Sequence, residues 1–269
     1  MQPKIIEIAG PPGAGKSTIY HSLCRTWKPA SRWVYPDVVF TSKPRFVSTR
    51  KWMMYHLRML LGKKLTKSIA VDYGLRFATQ QHELAQFCWN ILCEEGIDDE
   101  IQIAKRFRSA YFLFTTFCHY QAITEKSPSK PCIIEEGLLQ KSFFINDDEQ
   151  RTNELLEKYI SLIPLPYAVI YVNTPDIPEI IKRLRGRNKI IASHLDKDDA
   201  ALERDIQKWQ HAFDGMLGRL QRAGVNIIRI NARQPVKENV AQIKEILDHV
   251  KGDASSIGSL RGNKVVTAG

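Results

Sequence analysis

Gly10-Pro11-Pro12-Gly13-Ala14-Gly15-Lys16-Ser17 decides how the rest of the chain is read. The stretch satisfies Gly-x-x-x-x-Gly-Lys-[Ser/Thr] at every fixed position, and Thr18 follows it. These residue types answer to a physical task. Glycines let a backbone wrap tightly and aim its N–H groups at phosphate oxygens. A helix beginning at Lys16 adds the positive end of its dipole. The Lys16 ammonium would meet the outer phosphates, the Ser17 hydroxyl would hold Mg²⁺, and Thr18 would add a phosphate contact. The flanks agree. Residues 4–9 are a short apolar run with Ile5, Ile6 and Ile8, as in a buried strand. Residues 16–26 put Ile19 and Leu23 on one helical face. The expectation is a nucleoside triphosphate, ATP, bound with Mg²⁺ at residues 10–18.

Outward from this loop, short apolar strands alternate with amphipathic helices. Further strands are expected at residues 33–39, where Pro36 weakens the end, and at 132–135, 167–172 and 226–230. Helices are expected at 50–61, 72–93, 98–125, 147–163, 175–184, 198–223 and 236–250. Gly96 separates the two long central helices, Pro164 and Pro166 stop the next one, and Gly224 stops the longest late one. This alternation predicts an α/β fold with a parallel sheet covered on both faces. The central helices form an insert at about residues 45–127. Beyond Gly252 the chain is rich in Gly, Ser and Ala without a hydrophobic period, so a disordered tail is expected at 253–269.

Of the 269 residues 43% are hydrophobic, enough for one large core or one domain carrying an insert. The net charge of +10 points to an anionic ligand or partner. Much of it lies at Lys43, Arg45, Arg50, Lys51, Arg58, Lys63, Lys64 and Lys67, and at Lys182, Arg183, Arg185, Arg187 and Lys189. A nucleic acid is compatible with that charge but has no recognisable binding module in its favour. The longest apolar stretches, 111–117 and 167–172, are too short to span a bilayer. The N-terminus lacks a basic region followed by a long apolar run. The five cysteines, few and odd in number, read as reduced core thiols. A cytoplasmic protein is expected.

Two further patches carry a resemblance. One is Ile170-Tyr171-Val172-Asn173-Thr174-Pro175-Asp176, followed by Lys182-Arg183-Leu184-Arg185-Gly186-Arg187. The other is Ile228-Arg229-Ile230-Asn231-Ala232. With the phosphate loop, they resemble the P-loop nucleotide and nucleoside kinases, especially thymidylate kinases and deoxynucleoside kinases, over roughly residues 4–250. That resemblance implies a three-layer α/β/α sandwich with five parallel strands in the order 2-3-1-4-5. It implies a kinase domain over 1–252 that moves the γ-phosphoryl group of ATP to a small acceptor. It makes residues 183–197 an arginine-rich lid, in which Arg183 and Arg187 stabilise charge on the transferring group. It puts Ala232 in a loop beside the adenine, and it leaves a homodimer open. After the third strand the run Ile133-Ile134-Glu135-Glu136-Gly137 keeps the family's first acid, but Glu136 stands where the family has an arginine. The resemblance therefore does not identify the acceptor.

Glu135, at the end of a buried strand, can hold Mg²⁺ through water or take a proton from an acceptor hydroxyl. Asp37 lies where nucleoside kinases carry their general base, so both acids remain candidates. Of the adjacent pair Glu135 and Glu136, only one can reach the metal, since successive strand residues face opposite ways. In the insert, Arg108 and Tyr111 share a helical face and, with Arg76, are candidates for an acceptor pocket suited to an anion. His119 sits in an aromatic run and reads as core. The acceptor classes are a nucleoside, a nucleoside monophosphate or a sugar-type molecule. The alternatives are a P-loop ATPase or nucleotide-dependent regulatory protein, and a nucleic-acid-end kinase. A GTPase is disfavoured because Asn188-Lys189 is followed by Ile190-Ile191, with no acid to read a guanine.

Overall fold

The computed structural model describes residues 4–40, 49–60, 69–94, 100–145, 149–186 and 197–249. At its centre Ile5–Ala9 forms β1, buried along its whole length. Cys132–Ile134 (β2), Ala168–Asn173 (β3) and Asn226–Asn231 (β4) complete a parallel sheet in the order β2-β1-β3-β4. The register sets Glu7 beside Ile134 on one side and Val169 on the other. Continuous apolar strands suit a sheet covered on both faces.

Two expectations about the sheet are corrected. It has four strands rather than five, and its order differs from 2-3-1-4-5 accordingly. The strand expected at 33–39 contributes only a parallel bridge from Val34 to Cys132. Pro36, which has no N–H for a ladder, instead opens the short helix α2, Pro36–Phe40.

The helices follow the sequence pattern closely elsewhere. They are Lys16–Thr26 (α1), Thr49–Leu60 (α3), Val71–Gln80 (α4), His82–Leu92 (α5), Glu100–Lys126 (α6) and Leu138–Lys141 (α7). A 3-10 turn at Ser142–Phe144 continues α7. Glu149–Leu162 (α8), Ile177–Arg185 (α9), Asp199–Arg222 (α10) and Val236–His249 (α11) follow. The expected helix 72–93 is broken at Gln81 (φ −112°, ψ 51°), which no proline or glycine explains. Its separator from the next helix, Gly96, lies outside the described residues, as do the tail 253–269, Arg187 and the basic residues 43, 45, 63, 64, 67 and 189.

Period-two alternation sorts the strand residues to two faces. Ile6, Ile8, Ile133, Ile170, Val172, Ile228 and Ile230 pack with Ile19 and Leu23 of α1 and Ile243 and Leu247 of α11. Ile5, Ala9, Ile134, Val169 and Tyr171 share the other cluster with Phe117 and Tyr120 of α6, Tyr159 of α8, and Phe213 and Met216 of α10. Each such side chain contributes about 2 kcal/mol by leaving water. Helices thus cover both faces, and the strand ends that follow β1, β2, β3 and β4 meet at one rim. Among the described residues no helix is long and apolar enough to cross a membrane. Cys88, Cys118 and Cys132 are buried thiols, but Cys24 is half-buried and Cys93 exposed, so neither is fully core.

Candidate phosphate-binding site

At the end of β1 the chain turns at Gly10, where φ is 149°. A Cβ there would lie 2.1 Å from the Val172 carbonyl oxygen, so only glycine lets the chain leave β1 against β3. Gly13 and Gly15 also hold positive φ, and Gly15 is the N-cap of α1. No side chain caps α1, and its first turn carries no acid. The helix therefore starts with backbone donors and no competing carboxylate, the electrostatic requirement for an anion. Ser17 and Thr18 are exposed on this first turn. Pro11 is buried and Pro12 half-buried, while Ala14 packs into the core. Lys16 is 8% exposed, and its Nζ donates to the carbonyls of Gly10 (2.8 Å) and Pro11 (2.9 Å). Its ammonium thus arches back over the loop.

Arg183 stands at the loop's edge. Its Nε donates to Glu179 (3.0 Å) and its Nη2 to the Ala232 carbonyl (3.3 Å). Its Nη1 is 4.0 Å from where a Cβ on Gly15 would sit. The phosphate loop, α9 and Ala232 therefore meet around one guanidinium. Asp176 caps α9 by accepting from the Glu179 amide (3.2 Å) and pairs with Arg233 at 2.7 Å. Arg233 holds the Asp176 carboxyl below its usual range. The Ala232 amide donates to the Asn173 carbonyl at 2.8 Å, which ties the segment after β4 to the end of β3. Arg185 bonds Asp199 and the Lys197 carbonyl. Arg187, expected with Arg183 in the lid, lies outside the described residues, as does the rest of 187–196.

Glu135 is half-buried just past β2, and Asp37 lies in the first turn of α2 rather than at a strand end. The charges of both act on Cys24 of α1: burial first, then Asp37 and Glu135, push that thiol up to about 12 against the lowering effect of a Tyr20 hydrogen bond. Glu135 also lies within reach of Tyr20, whose hydroxyl is raised chiefly by burial. Both acids thus influence the helix that begins at Lys16. Glu136 turns away, exposed, to an ion pair with Lys141 at 2.7 Å. Hydroxyl and carboxylate oxygens are the donor types Mg²⁺ takes, so Ser17 and Glu135 fit it chemically. Among the described residues no three His, Cys, Asp or Glu side chains cluster to hold a metal by themselves. A magnesium ion here would rely on phosphate and water oxygens for most of its shell.

The insert residues do not converge. Arg76 on α4 is engaged by Asp72 (2.6 Å) and Glu125 (2.7 Å), strapping α4 to the end of α6. Arg108 and Tyr111 are exposed on α6. Glu125 is 17 residues from Arg108 along α6, roughly 25 Å at 1.5 Å per residue. Arg76 and Arg108 therefore do not line one pocket. His119 donates from Nδ1 to the Thr115 carbonyl (2.8 Å) on its own helix.

Glu7 was not singled out from the sequence, yet it is fully buried on β1. Its Oε1 accepts from the Leu138 amide (3.2 Å) and the Tyr120 hydroxyl, and its Oε2 accepts from the Leu139 amide (3.0 Å). Burial raises its carboxyl from 4.5 to about 7, against the lowering effect of these donors. The signal was present: one acid interrupts a strand otherwise made of Ile and Ala.

No protein-family model and no curated protein sequence matches the chain. Solved structures similar to it include three of kinases. A deoxyadenosine kinase from M. mycoides with dCMP and dCDP bound is 16% identical, with 90% of this chain and 98% of that chain covered and a TM-score of 0.42. The deoxyadenosine kinase with dATP bound is 14% identical, covers 91% and 99%, and scores 0.47. A shikimate kinase from Bacteroides thetaiotaomicron is 14% identical, covers 90% and 97%, and scores 0.38.

Proposed function

We propose that the chain is an ATP-dependent phosphotransferase that moves a γ-phosphoryl group to a small, anionic acceptor. The observation that carries this reading is the loop at 10–16: glycine-built, followed by an uncapped helix, and spanned by a lysine held on its own carbonyls. Backbone amides from Gly13 to Ser17 would cradle the β-phosphate, and Lys16 would swing from the Gly10 and Pro11 carbonyls onto the outer phosphates. Thr18 would add a hydroxyl contact. Mg²⁺, held by Ser17 and through water by Glu135, would offset the negative charge of the phosphates.

The acceptor oxygen would attack the γ-phosphorus, its proton passing to Asp37 or Glu135 as the bond to the β-phosphate oxygen breaks and ADP leaves. Arg183, beside Gly15, and Arg187 from the adjoining lid would stabilise charge on the transferring group. Ala232, fixed by Arg183 and Asn173, would lie beside the adenine. The domain limits 1–252, the insert at about 45–127 as acceptor-binding unit, and Arg108 with Tyr111 as contacts belong to this proposal, as does a cytoplasmic setting.

An acceptor screen with Mg·ATP, covering nucleosides, monophosphates, sugars and oligonucleotide ends and read as ADP formed, tests it. ADP formed only when one small acceptor is added supports the reading. Phosphate released with no acceptor makes the chain an ATPase, and formation only with oligonucleotide ends moves it to nucleic-acid repair chemistry. Once an acceptor is found, Arg187→Ala should slow turnover by a factor equivalent to about 2–4 kcal/mol while leaving ATP affinity nearly intact. Unchanged turnover would remove Arg187 from the mechanism.

A further inference from the structure

The loop's electrostatics explain how an anion could be held, but not why β1 carries an acid. A strand covered on both faces is served by apolar residues, and Ile5, Ile6, Ile8 and Ala9 are at most 1% exposed. A carboxyl at 0% exposure among them is costly unless its oxygens do specific work. Three donors converge on it: the Tyr120 hydroxyl of α6 and the first two amides of α7. The chain makes room for this contact at Gly137, where a Cβ would come 2.1 Å from the Glu7 carboxyl carbon. Two more bonds leave α7. Tyr159 of α8 donates to the Leu138 carbonyl at 2.8 Å. The buried Gln140 side chain accepts from the Gly10 amide at 3.2 Å, at the first residue of the phosphate loop.

The geometry points to Glu7 as a positioning residue for the phosphate site: its carboxyl fixes α7, and α7 fixes Gly10 through Gln140 and the segment that carries Glu135. The role rests on the phosphotransferase reading but acts through the protein alone. Glu7 itself is fully buried and acts from behind the loop. Glutamate suits the task because both of its oxygens accept; glutamine at the same place would set an NH₂ against the Leu139 amide. The other groups facing it are Tyr120, Tyr159 and Lys141, of which only Lys141 is a cation, so the hold is mainly one of hydrogen bonds.

Hydrogen–deuterium exchange on the full chain without nucleotide is the first test. Glu7→Gln is expected to speed exchange about tenfold in residues 10–16 and 135–141, the loss of roughly one buried hydrogen bond, while β4 keeps its protection. Unchanged exchange at 10–16, or an equal rise everywhere, overturns the proposal. If Glu7→Gln does not fold, Gln140→Ala cuts the same link at its far end and must loosen residues 10–16 alone.

The second test titrates a fluorescent ATP analogue, mant-ATP with MgCl₂. Each single variant should weaken binding about tenfold, and the double variant no further, because both changes break one chain of contacts. Additive losses of about a hundredfold would overturn the link. Failure of the wild-type chain to bind mant-ATP would remove the nucleotide reading instead, and the exchange experiment would still decide the role of Glu7.

Discussion

The rim around Gly10 and the helical insert handle charge in opposite ways. At the rim, cations reach backbone carbonyls close to one place: Lys16 those of Gly10 and Pro11, and Arg183, which also pairs with Glu179, that of Ala232 beside Gly15. In the insert, Arg76 is consumed by Asp72 and Glu125, and Arg108 faces outward. Ile103, Phe107 and Tyr111, spaced four apart on α6, are also more than half exposed there. The rim cations gather at the glycine turn, whereas Arg76 fastens two helices. The proposed phosphate chemistry is assigned to the rim.

The strongest way to break this contrast is Lys16→Ala. ATP-dependent transfer should fall on the order of 10³-fold, with a melting temperature close to that of the wild type. Loss of the fold would make Lys16 a structural prop and erase the distinction. Phe77→Ala probes the other half. Phe77 is 4% exposed and stacks on Phe117 at 4.6 Å between centroids. Its truncation should cost about 3–5 kcal/mol in denaturant unfolding, while mant-ATP affinity measured in the cold stays within about twofold. A large loss of affinity would mean that the loop depends on the insert's packing.

Glu7 gives a third, pH-dependent handle. Its carboxyl, raised by burial from 4.5 to about 7, holds its proton more tightly in the folded chain than in the unfolded one. The stability it supplies is complete below pH 4.5 and disappears as pH rises through about 7, a change of about 3 kcal/mol. Glu7→Gln should flatten that part of the melting-temperature profile, and an unaltered slope would assign the titration to another group. The smallest effect is expected from Arg76→Ala, since its ion pairs are exposed and screened. A fall of more than about 4 °C in melting temperature would show that the α4–α6 strap matters more than its exposure suggests.

What could be read from the sequence follows the same division. The loop at 10–17 was legible because few residue types permit positive φ and close backbone approach, so the motif and the geometry constrain each other. The strands at 5–9, 168–173 and 226–231 were legible from continuous apolar runs. The edge strand was not, because Val34 and Tyr35 read as strand while Pro36 redirects the chain into α2. The break at Gln81 left no local mark. The proposed pocket of Arg76, Arg108 and Tyr111 failed at Arg76 because helical spacing says which residues share a face but not which partner on another helix claims them. Asp37 and Glu135 were named separately, by location, and only the fold brings both charges to bear on Cys24. Glu7 was overlooked because its partners are more than a hundred residues away.

The Lys16 ammonium already has two oxygen acceptors within its own turn. Any incoming anion must compete with those oxygens, so its measured affinity reports an exchange of partners and not the full strength of the new contact. Acetylation of this amine would cancel the charge and weaken both internal bonds in one step. A single acyl group would then silence the ligand's grip and loosen the turn that presents it.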